Sequence, residues 1–275
     1  LALRKAKIKN KILVFSKLQK NYIELAYKEN IILNLSSFDD IEHIKSFYLK
    51  NKVSPKYHLK FDTGMTRLGF DLNDAEAIYE SLSKPLHPYI EGIYTHFATA
   101  DEGNLSYAKK QLSDFKMVVR KVESFGLKFK FIHCSNSGAV LNLEKSYFNM
   151  VRVGMLLYGA LPSNEVIDNI GIKPVMSFCG SIVNVRKVKK NTPVSYGGVY
   201  KTASDTNIAV IQTGFADGFP RPWFESGYVI YNGEKFKIAG RVCMDQLMID
   251  LGDVVPELGD DVLFFGENQI GPVSY

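Results

Sequence analysis

The sequence has little of what marks several large classes of protein. Its 275 residues include only three cysteines, Cys134, Cys179 and Cys243. A sparse, odd set of cysteines argues against a disulfide framework and indicates a reducing compartment, so we expect a cytoplasmic protein. No apolar run reaches the length of a membrane span, and we therefore expect no membrane partner.

An excess of charge of one sign is also missing. The formal net charge is only +5, and the lysines are scattered along the chain. The densest basic group, residues 186–190, is interpreted as a solvated strand end, because nucleic-acid sites need a clustered basic footprint. The sequence therefore predicts no nucleic-acid partner. The 46% of hydrophobic residues suffices for an ordinary globular core.

The first part of the chain alternates apolar runs with amphipathic segments. Strand–helix alternation implies parallel pairing, because parallel neighbours need a crossover connection. We predict an incomplete TIM-type α/β barrel over residues 1–161, with the last six of eight strands. The six strand candidates are "KILVF", "IILNL", "YHLKF", "IEGIYTHFA", "FKFIHC" and "FNMVRVGMLLYGA". The longest helix between them has one regularly spaced face, formed by Gln111, Phe115, Val118, Val119 and Val122.

The pattern of hydrophobic residues changes after Leu161. Short alternating runs follow one another without a helical period, and Asn232-Gly233 is a tight hairpin signal between two of them. We predict a mainly β domain over residues 162–275. Its strand candidates are "GSIVNVRKV", "NIAVIQTGF", "YVIYNGEKFKIAG", "CMDQLMIDL" and "DVLFF".

The tripeptide Asp62-Thr63-Gly64 is the one that aspartic proteases present at a strand end. Such a protease needs two carboxylates that share one proton, and the chain has a single copy inside an α/β run. Lys60 and Arg67 would also hold Asp62 ionised. We therefore exclude an aspartic protease.

Polar residues gather where the predicted barrel strands end, which is where such barrels carry their chemistry. Each has an ordinary explanation on its own, as a core histidine or a surface ion-pair partner, but their joint position favours a site. A Ser-Asn-Ser-Gly turn opens a short helix there, and Gly154 lets backbone amides approach an anion, so a phosphorylated ligand is the first inference. The predicted rim consists of Lys60, Arg67, His96, Asn136, Ser137 and Arg152.

Seven motifs in order resemble the alanine racemase family. They are "LKFDTGMTRLGF", "GIYTHFATADE", "HCSNSGAVLN", "NMVRVGMLLYG", "VSYGGVY", "GFADGF" and "GRVCMDQLMIDL". The resemblance implies an α/β barrel followed by a β domain, with pyridoxal 5'-phosphate (PLP) as cofactor. It implies an isomerase that interconverts L- and D-alanine through a PLP imine and supplies D-alanine for peptidoglycan. It also implies a homodimer with shared active sites.

The resemblance implies proton carriers on both faces of a planar intermediate. One of them is Tyr196, donated by the partner subunit and facing His96 and Arg152. Arg152 would also face the pyridine nitrogen of PLP. Arg67 would contact the PLP phenolic oxygen and the substrate carboxylate. Asp62 would then position Arg67 rather than act as a catalytic acid.

The resemblance also implies residues around these groups. Lys60 matches a lysine that the family carbamylates to N6-carboxylysine, and the new carboxylate would hold Arg67. Met244 and Asp245 match the substrate pocket, and no metal is implied. Further cofactor-binding residues are expected at Asn136, Ser137, Gly154 and Met155.

The sequence departs from the family pattern in one large respect. The family's PLP lysine lies in a Val-Lys-Ala-Asn-Ala-Tyr-like segment that does not occur here, and we expect a sequence cut at both ends. Two alternatives stay open. One is a non-catalytic PLP-binding homologue that lost its lysine. The other is a PLP-dependent amino-acid decarboxylase with Cys243 as proton donor, although the intact "VSYGG" and "VRVGM" segments favour the racemase.

Overall fold

The computed structural model describes residues 1–82, 84–167, 170–268 and 271–273. The chain divides into two compact units, Leu1–Ile172 and Lys173–Tyr275. Each unit has its own sheet and its own hydrophobic core.

The first unit contains a five-stranded parallel sheet whose strands follow one another in chain order. This order, with helical segments between the strands, confirms the predicted fold class of an incomplete α/β barrel followed by a β domain. The strands are β1 (Ile12–Leu13), β2 (Ile31–Leu35), β3 (Tyr57–Lys60), β4 (Ile90–Tyr94) and β5 (Phe131–His133).

Helices form most of the connections between the strands of this sheet. Ser37 caps the third helix by accepting a hydrogen bond from the backbone of Asp40. The α-helices are α1 (Ala2–Lys5), α2 (Ile23–Lys28), α3 (Phe38–Asn51), α4 (Ala75–Ser81), α5 (Ser106–Ser124) and α6 (Ser137–Asn142), and 3₁₀ helices cover Lys20–Tyr22, Leu72–Asp74, Lys84–Tyr89, Glu144–Ser146 and Met155–Tyr158. No helix within the described ranges is both long and apolar enough to cross a membrane.

The sixth predicted strand, "FNMVRVGMLLYGA", is wrong as a regular strand. Met150 alone forms a parallel bridge, to His133. The backbone leaves extended geometry on both sides, because Phe148 has a φ of 41° and Gly154 begins the 3₁₀ helix Met155–Tyr158. The backbone N–H of Arg152 still donates to Ser135 O at 2.9 Å, so the segment stays beside the end of β5.

The described strands of the second unit are β6 (Phe178–Val188), β7 (Pro193–Val194), β8 (Tyr200–Lys201), β9 (Thr206–Ile211), β10 (Tyr228–Tyr231), β11 (Glu234–Lys237), β12 (Leu247–Asp250), β13 (Asp261–Asn268) and β14 (Gly271–Val273). Asn232 and Gly233 both have positive φ, 50° and 83°, which confirms the predicted tight hairpin between β10 and β11. Most of these strands form one antiparallel sheet of order β11-β10-β13-β6-β9-β12, with β14 paired to β13, and β7 and β8 form a separate pair. The helical turns described in this unit are 3₁₀ helices, at Tyr196–Gly198, Phe215–Asp217 and Arg221–Phe224.

Candidate active site

Arg152 lies at the centre of the polar groups at the strand ends of the first unit. Its Nη2 donates to Thr95 O at 2.8 Å and to Cys134 O at 3.1 Å, just beyond β4 and β5. Nη1 lies 2.6 Å from His133 Nδ1, and Nη2 lies 3.1 Å from His96 Nδ1. The guanidinium is therefore held in one orientation, and its Nε–H and one Nη1–H have no acceptor among the described residues.

The contacts of Arg152 set the tautomers of two buried histidines. An arginine only donates, so His133 Nδ1 must accept and its proton must sit on Nε2. His133 Nε2 lies 2.9 Å from His58 Nδ1, which must then accept as well. The proton of His58 is thereby placed on Nε2, a buried atom with no hydrogen-bond partner among the described residues. In the series Arg152–His133–His58, each residue therefore donates its hydrogen bond to the next one.

A glycine makes room for this series inside the sheet. Gly92 on β4 lies between His58 on β3 and Phe131 on β5. A Cβ at this position would lie 2.7 Å from the His58 ring. The missing side chain therefore lets the His58 ring lie against β4 and reach His133. The His133 ring in turn stacks on Tyr94, with 4.8 Å between ring centroids.

The histidines around Arg152 are held neutral. Burial first, and then the charge of Arg152, lower the pKa of His133 to about 2. Burial lowers the pKa of His58 to about 4. Burial, Arg152, Arg67 and Lys60 lower the pKa of His96 to about 4. Burial also lowers the pKa of Arg152, but only to about 10, so the guanidinium remains a fixed cation at neutral pH.

Acid is expected to unfold the first unit through these histidines. A buried histidine with a lowered pKa binds its proton more readily in the unfolded chain, so stability is lost as pH falls from about 6.5 toward the folded-state pKa. Each of His58 and His133 contributes a slope of roughly 1.4 kcal/mol per pH unit at most in that window.

Urea unfolding at a series of pH values measures this slope. His58→Asn keeps an acceptor for His133 but cannot titrate. It should therefore lower the slope by the contribution of one proton, roughly 1.4 kcal/mol per pH unit at most. A stability curve that is flat between pH 6.5 and 5 would contradict the neutral assignment.

Asp62 organises the loop that carries Arg67. Its Oδ1 accepts from the backbone N–H groups of Gly64 and Met65 at 2.8 Å, and Oδ2 accepts from that of Arg67 at 3.1 Å. Burial alone would raise the pKa of this carboxyl, but the backbone N–H donors of the loop hold it below its usual range. Asp62 thus has the geometry of a loop organiser, as expected from the sequence, and Arg67 itself is exposed.

Gly69 allows this loop to close. Its φ is +142°, and a Cβ would lie 2.4 Å from Asp62 N. We expect Gly69→Ala to destabilise the protein by about 3 kcal/mol, from backbone strain together with this contact. Gly126 is the control, because it has a φ of +92° and nothing within 4 Å of its Cβ position. Gly126→Ala should lower the free energy of unfolding in urea by about 1 kcal/mol. Equal losses of stability in the two variants would show that the close contact of a Cβ with Asp62 N contributes nothing.

Lys60 is a buried cation without a partner. The residue is 4% exposed, and its Nζ makes no hydrogen bond or ion pair in the described part of the structure. The Nζ lies 5.6 Å from the centroid of the Tyr94 ring. Burial, Arg67 and Arg152 lower the pKa of Lys60, with Asp62 opposing them. The amine therefore loses its proton more readily than an ordinary lysine.

The predicted anion site is formed differently from the expectation. The backbone N–H of Gly154 donates to Ser137 Oγ at 3.0 Å, which leaves the hydroxyl proton of Ser137 available. The Asn136 carboxamide oxygen caps α6 by accepting from Ala139 N at 3.0 Å. The N–H groups of Ser137 and Gly138 have no acceptor within the described ranges. A Cβ on Gly154 would meet nothing within 4 Å, so the space beside these donors is open.

The second unit carries the other predicted site residues on one exposed surface. Tyr196 is 63% exposed and Met244 is 62% exposed, and Asp245 beside it is exposed as well. The two segments are joined because Ser195 Oγ donates to Arg241 O at 2.6 Å. Phe215 N donates to Cys243 O at 3.0 Å, which places a third segment there. Met155 is 47% exposed in the first unit.

Comparison with known proteins identifies the family. The family profile described as "Alanine racemase, N-terminal domain" matches residues 1–162, and "Alanine racemase, C-terminal domain" matches residues 175–274. The chain belongs to the alanine racemase family. The resemblance predicted from the seven motifs is thereby confirmed, and so is the isomerase class, because the homologues are named alanine racemases.

Relatives and solved structures agree with this assignment. The chain is 37% identical to the alanine racemase of Desulforamulus reducens over 272 residues, covering 98% of the chain and 73% of the relative. The alanine racemase of Halothermothrix orenii is 35% identical and is covered over 72% of its length. The alanine racemase structure from Clostridium difficile 630 has a TM-score of 0.87 at 33% identity, with 98% of this chain and 71% of that chain covered. The Bacillus anthracis enzyme, solved with bound L-Ala-P, has the same TM-score and identity, with 99% and 71% covered.

The alanine racemase motifs led to Arg152 and His96 but not to the groups that orient them. His58 and His133 were missed, although both stand in runs interpreted as buried strands. A histidine inside an apolar strand is a signal for a buried polar partner. Thr95 and Gln111 were missed as well, because a threonine and a helical glutamine carry no chemical signature by themselves.

Proposed function

We propose that this member of the alanine racemase family interconverts L- and D-alanine with PLP as cofactor. The observation that carries the proposal is the fixed, protonated Arg152 between neutral His96 and His133. The guanidinium is fixed and can only donate, so its free Nε–H suits a ring nitrogen that accepts a hydrogen bond and stays unprotonated. The names of the relatives support alanine as the substrate.

The residues present fit PLP. Arg152 Nε–H is left to donate to the pyridine nitrogen. The Ser137 hydroxyl and the free N–H groups of Ser137 and Gly138, beside open space at Gly154, would hold the phosphate. When bound, PLP spreads the negative charge that remains when the α-proton leaves alanine. Because the pKa of Arg152 stays at about 10, this arginine donates a hydrogen bond without giving up its proton.

Racemisation needs a proton carrier on each face of the substrate. We assign one face to Tyr196 of a neighbouring subunit in a homodimer, because this phenol is exposed on its own unit. In such a site the fixed cation of Arg152 would stabilise negative charge on the phenol oxygen. We assign the other face to the PLP lysine that the family resemblance implies.

Substrate selection is assigned to residues around this centre. The exposed guanidinium of Arg67, on the loop that Asp62 organises, would take the carboxylate of alanine. Met244 and Asp245 would close a small pocket around the methyl group. The three cysteines are free thiols, which supports a cytoplasmic enzyme that supplies D-alanine to the cell wall.

Lys60 is proposed to carry a carbamate. Its neutral amine attacks the carbon of CO₂, a nitrogen–carbon bond forms, and one proton leaves. The product replaces the electrostatic repulsion between Lys60 and Arg67 by an attraction. We expect a carbamate signal in ¹³C NMR after addition of ¹³C-bicarbonate, stronger at higher pH. The signal should disappear in Lys60→Arg and persist in Lys11→Arg. A signal that remains in Lys60→Arg would show that the carbamate forms on another amine and would contradict the role of Lys60.

The function is tested on the purified protein incubated with PLP. We expect PLP absorbance shifted by imine formation and D-alanine formed from L-alanine. Bound PLP without turnover of any amino acid would overturn the proposal in favour of the non-catalytic homologue. CO₂ release from an amino acid without D-alanine would overturn it in favour of a decarboxylase.

A further inference from the structure

A glutamine interrupts the apolar buried face of α5. Gln111 is 0% exposed, on the same face as the buried Phe115, Val118 and Val122. A carboxamide is costly to bury unless its donors and acceptor are all paired. A polar residue that breaks the local pattern of a helix face is expected where the fold serves function.

The side chain of Gln111 joins two of the loops that form the candidate site. Its Oε1 accepts from Ala98 N at 3.0 Å, which fixes the orientation of the amide. Its Nε2 then donates to His96 O at 3.2 Å and to Thr63 Oγ1 at 3.3 Å. His96 and Ala98 belong to the loop after β4, and Thr63 belongs to the loop after β3.

The network continues to the arginine at the centre of the site. Thr63 Oγ1 accepts from Gln111 and lies 2.8 Å from Thr95 Oγ1, to which its own hydroxyl can donate. Thr95 O accepts from Arg152 Nη2 at 2.8 Å. Thr63 directly follows Asp62, the carboxylate that arranges the Arg67 loop.

We infer that Gln111 is a positioning residue, which sets the placement of His96 relative to Arg152 and to the loop of Arg67. Its catalytic consequence rests on the proposed racemase function, whereas its effect on the loops does not. Without the carboxamide, Ala98 N–H and His96 O lose their partners and the loop after β4 must move to find water. The ring of His96 then leaves the surroundings that keep it neutral, namely burial, Arg152, Arg67 and Lys60.

Histidine NMR tests this effect without any cofactor. The chain has five histidines, so His96→Gln assigns the His96 signal directly. In Gln111→Met, which keeps the volume of the side chain, we expect the pKa of His96 to rise by about one unit or more toward its ordinary value. The pKa of His58, inside the sheet, should stay low.

A matched variant separates positioning from general loosening. Val118→Ala removes buried side chain two helical turns along the same face, and valine has no side-chain hydrogen bond to either loop to lose. It should lower the unfolding midpoint and leave the pKa of His96 unchanged. An unchanged His96 pKa in Gln111→Met, or equal rises for His58 and His96, would overturn the inference. If Gln111→Met does not fold, Thr63→Val replaces it, with Thr63→Ser expected to restore the wild-type His96 pKa.

Kinetics provide the second measurement. With racemase activity present, Gln111→Met should lower kcat by about 10- to 100-fold and change KM much less, because a small misplacement of catalytic groups acts on the chemical step. An unchanged kcat would overturn the inference. If the wild-type protein forms no D-alanine, the proposed function fails, and the NMR titration still decides the role of Gln111.

Discussion

Replacing Tyr196 by phenylalanine should lower the rate of alanine racemisation by about 10³-fold, within the range typical of a lost general acid–base group. The substitution removes only the phenolic hydroxyl. Tyr196 is 63% exposed on its own unit, so the loss of the hydroxyl should leave the fold intact. The expected result is therefore a loss of kcat with unchanged unfolding by urea.

The control for this variant is Tyr22→Phe, because Tyr22 is also exposed, at 56%, and lies outside the site. Since the carrier on the other face remains, Tyr196→Phe should still exchange the α-proton of one enantiomer with deuterated solvent, without inversion. Racemisation within tenfold of the wild-type rate would contradict the role of Tyr196.

The same substitution tests whether the site is shared between subunits. If Tyr196 acts across a dimer, a hybrid of one Tyr196→Phe chain and one Arg152 variant chain has one site with both defects and one site with none. Mixing the two inactive proteins under exchange conditions should then recover activity. No recovery from verified hybrids would place Tyr196 and Arg152 of the same chain in one site.

The second large effect is expected for Arg152→Lys. A lysine keeps the charge but cannot reproduce the planar fork of donors. It would leave at least two of the acceptors His133 Nδ1, Thr95 O and Cys134 O unpaired in a buried place. Hydrogen bonds to a charged group contribute about 1.5–3 kcal/mol each, so we expect a loss of about 3–6 kcal/mol of stability.

The PLP affinity of Arg152→Lys should fall as well, and racemisation by about 10²-fold or more. Absorbance titration with PLP, kcat and urea unfolding measure the three effects. Arg120→Lys, an exposed arginine in α5, is the control and should change none of them. Wild-type PLP affinity in Arg152→Lys would show that the positive charge alone suffices and would contradict the role of the fork.

The sequence predicted the architecture well because the responsible signals are local. Alternation of apolar strands and amphipathic helices is visible in a short window, and so is the Asn232-Gly233 hairpin. The sixth strand failed for a reason that no short window contains. Its residues favour a strand, but the turn at Phe148 and the start of a 3₁₀ helix after Gly154 leave only the bridge at Met150. Pairing depends on a partner elsewhere in the chain.

The site was predictable in its chemically distinctive residues and not in the groups that support them. Arg152 and His96 stand in motifs at strand ends. His58 and His133 are 75 positions apart, and they meet only because β3, β4 and β5 are in one register and Gly92 leaves space between them. Gln111 became informative only once its partners on two loops were known.

The Nε2–H of His58, which has no partner among the described residues, limits proton transfer through the first unit. The histidine series begins at a cation that does not release its proton and ends at a buried atom with no acceptor among the described residues. The series therefore offers no route for proton transfer from Arg152 to bulk water. In the proposed racemase, the protons that alanine gives up or receives would therefore have to be carried by groups other than these two histidines.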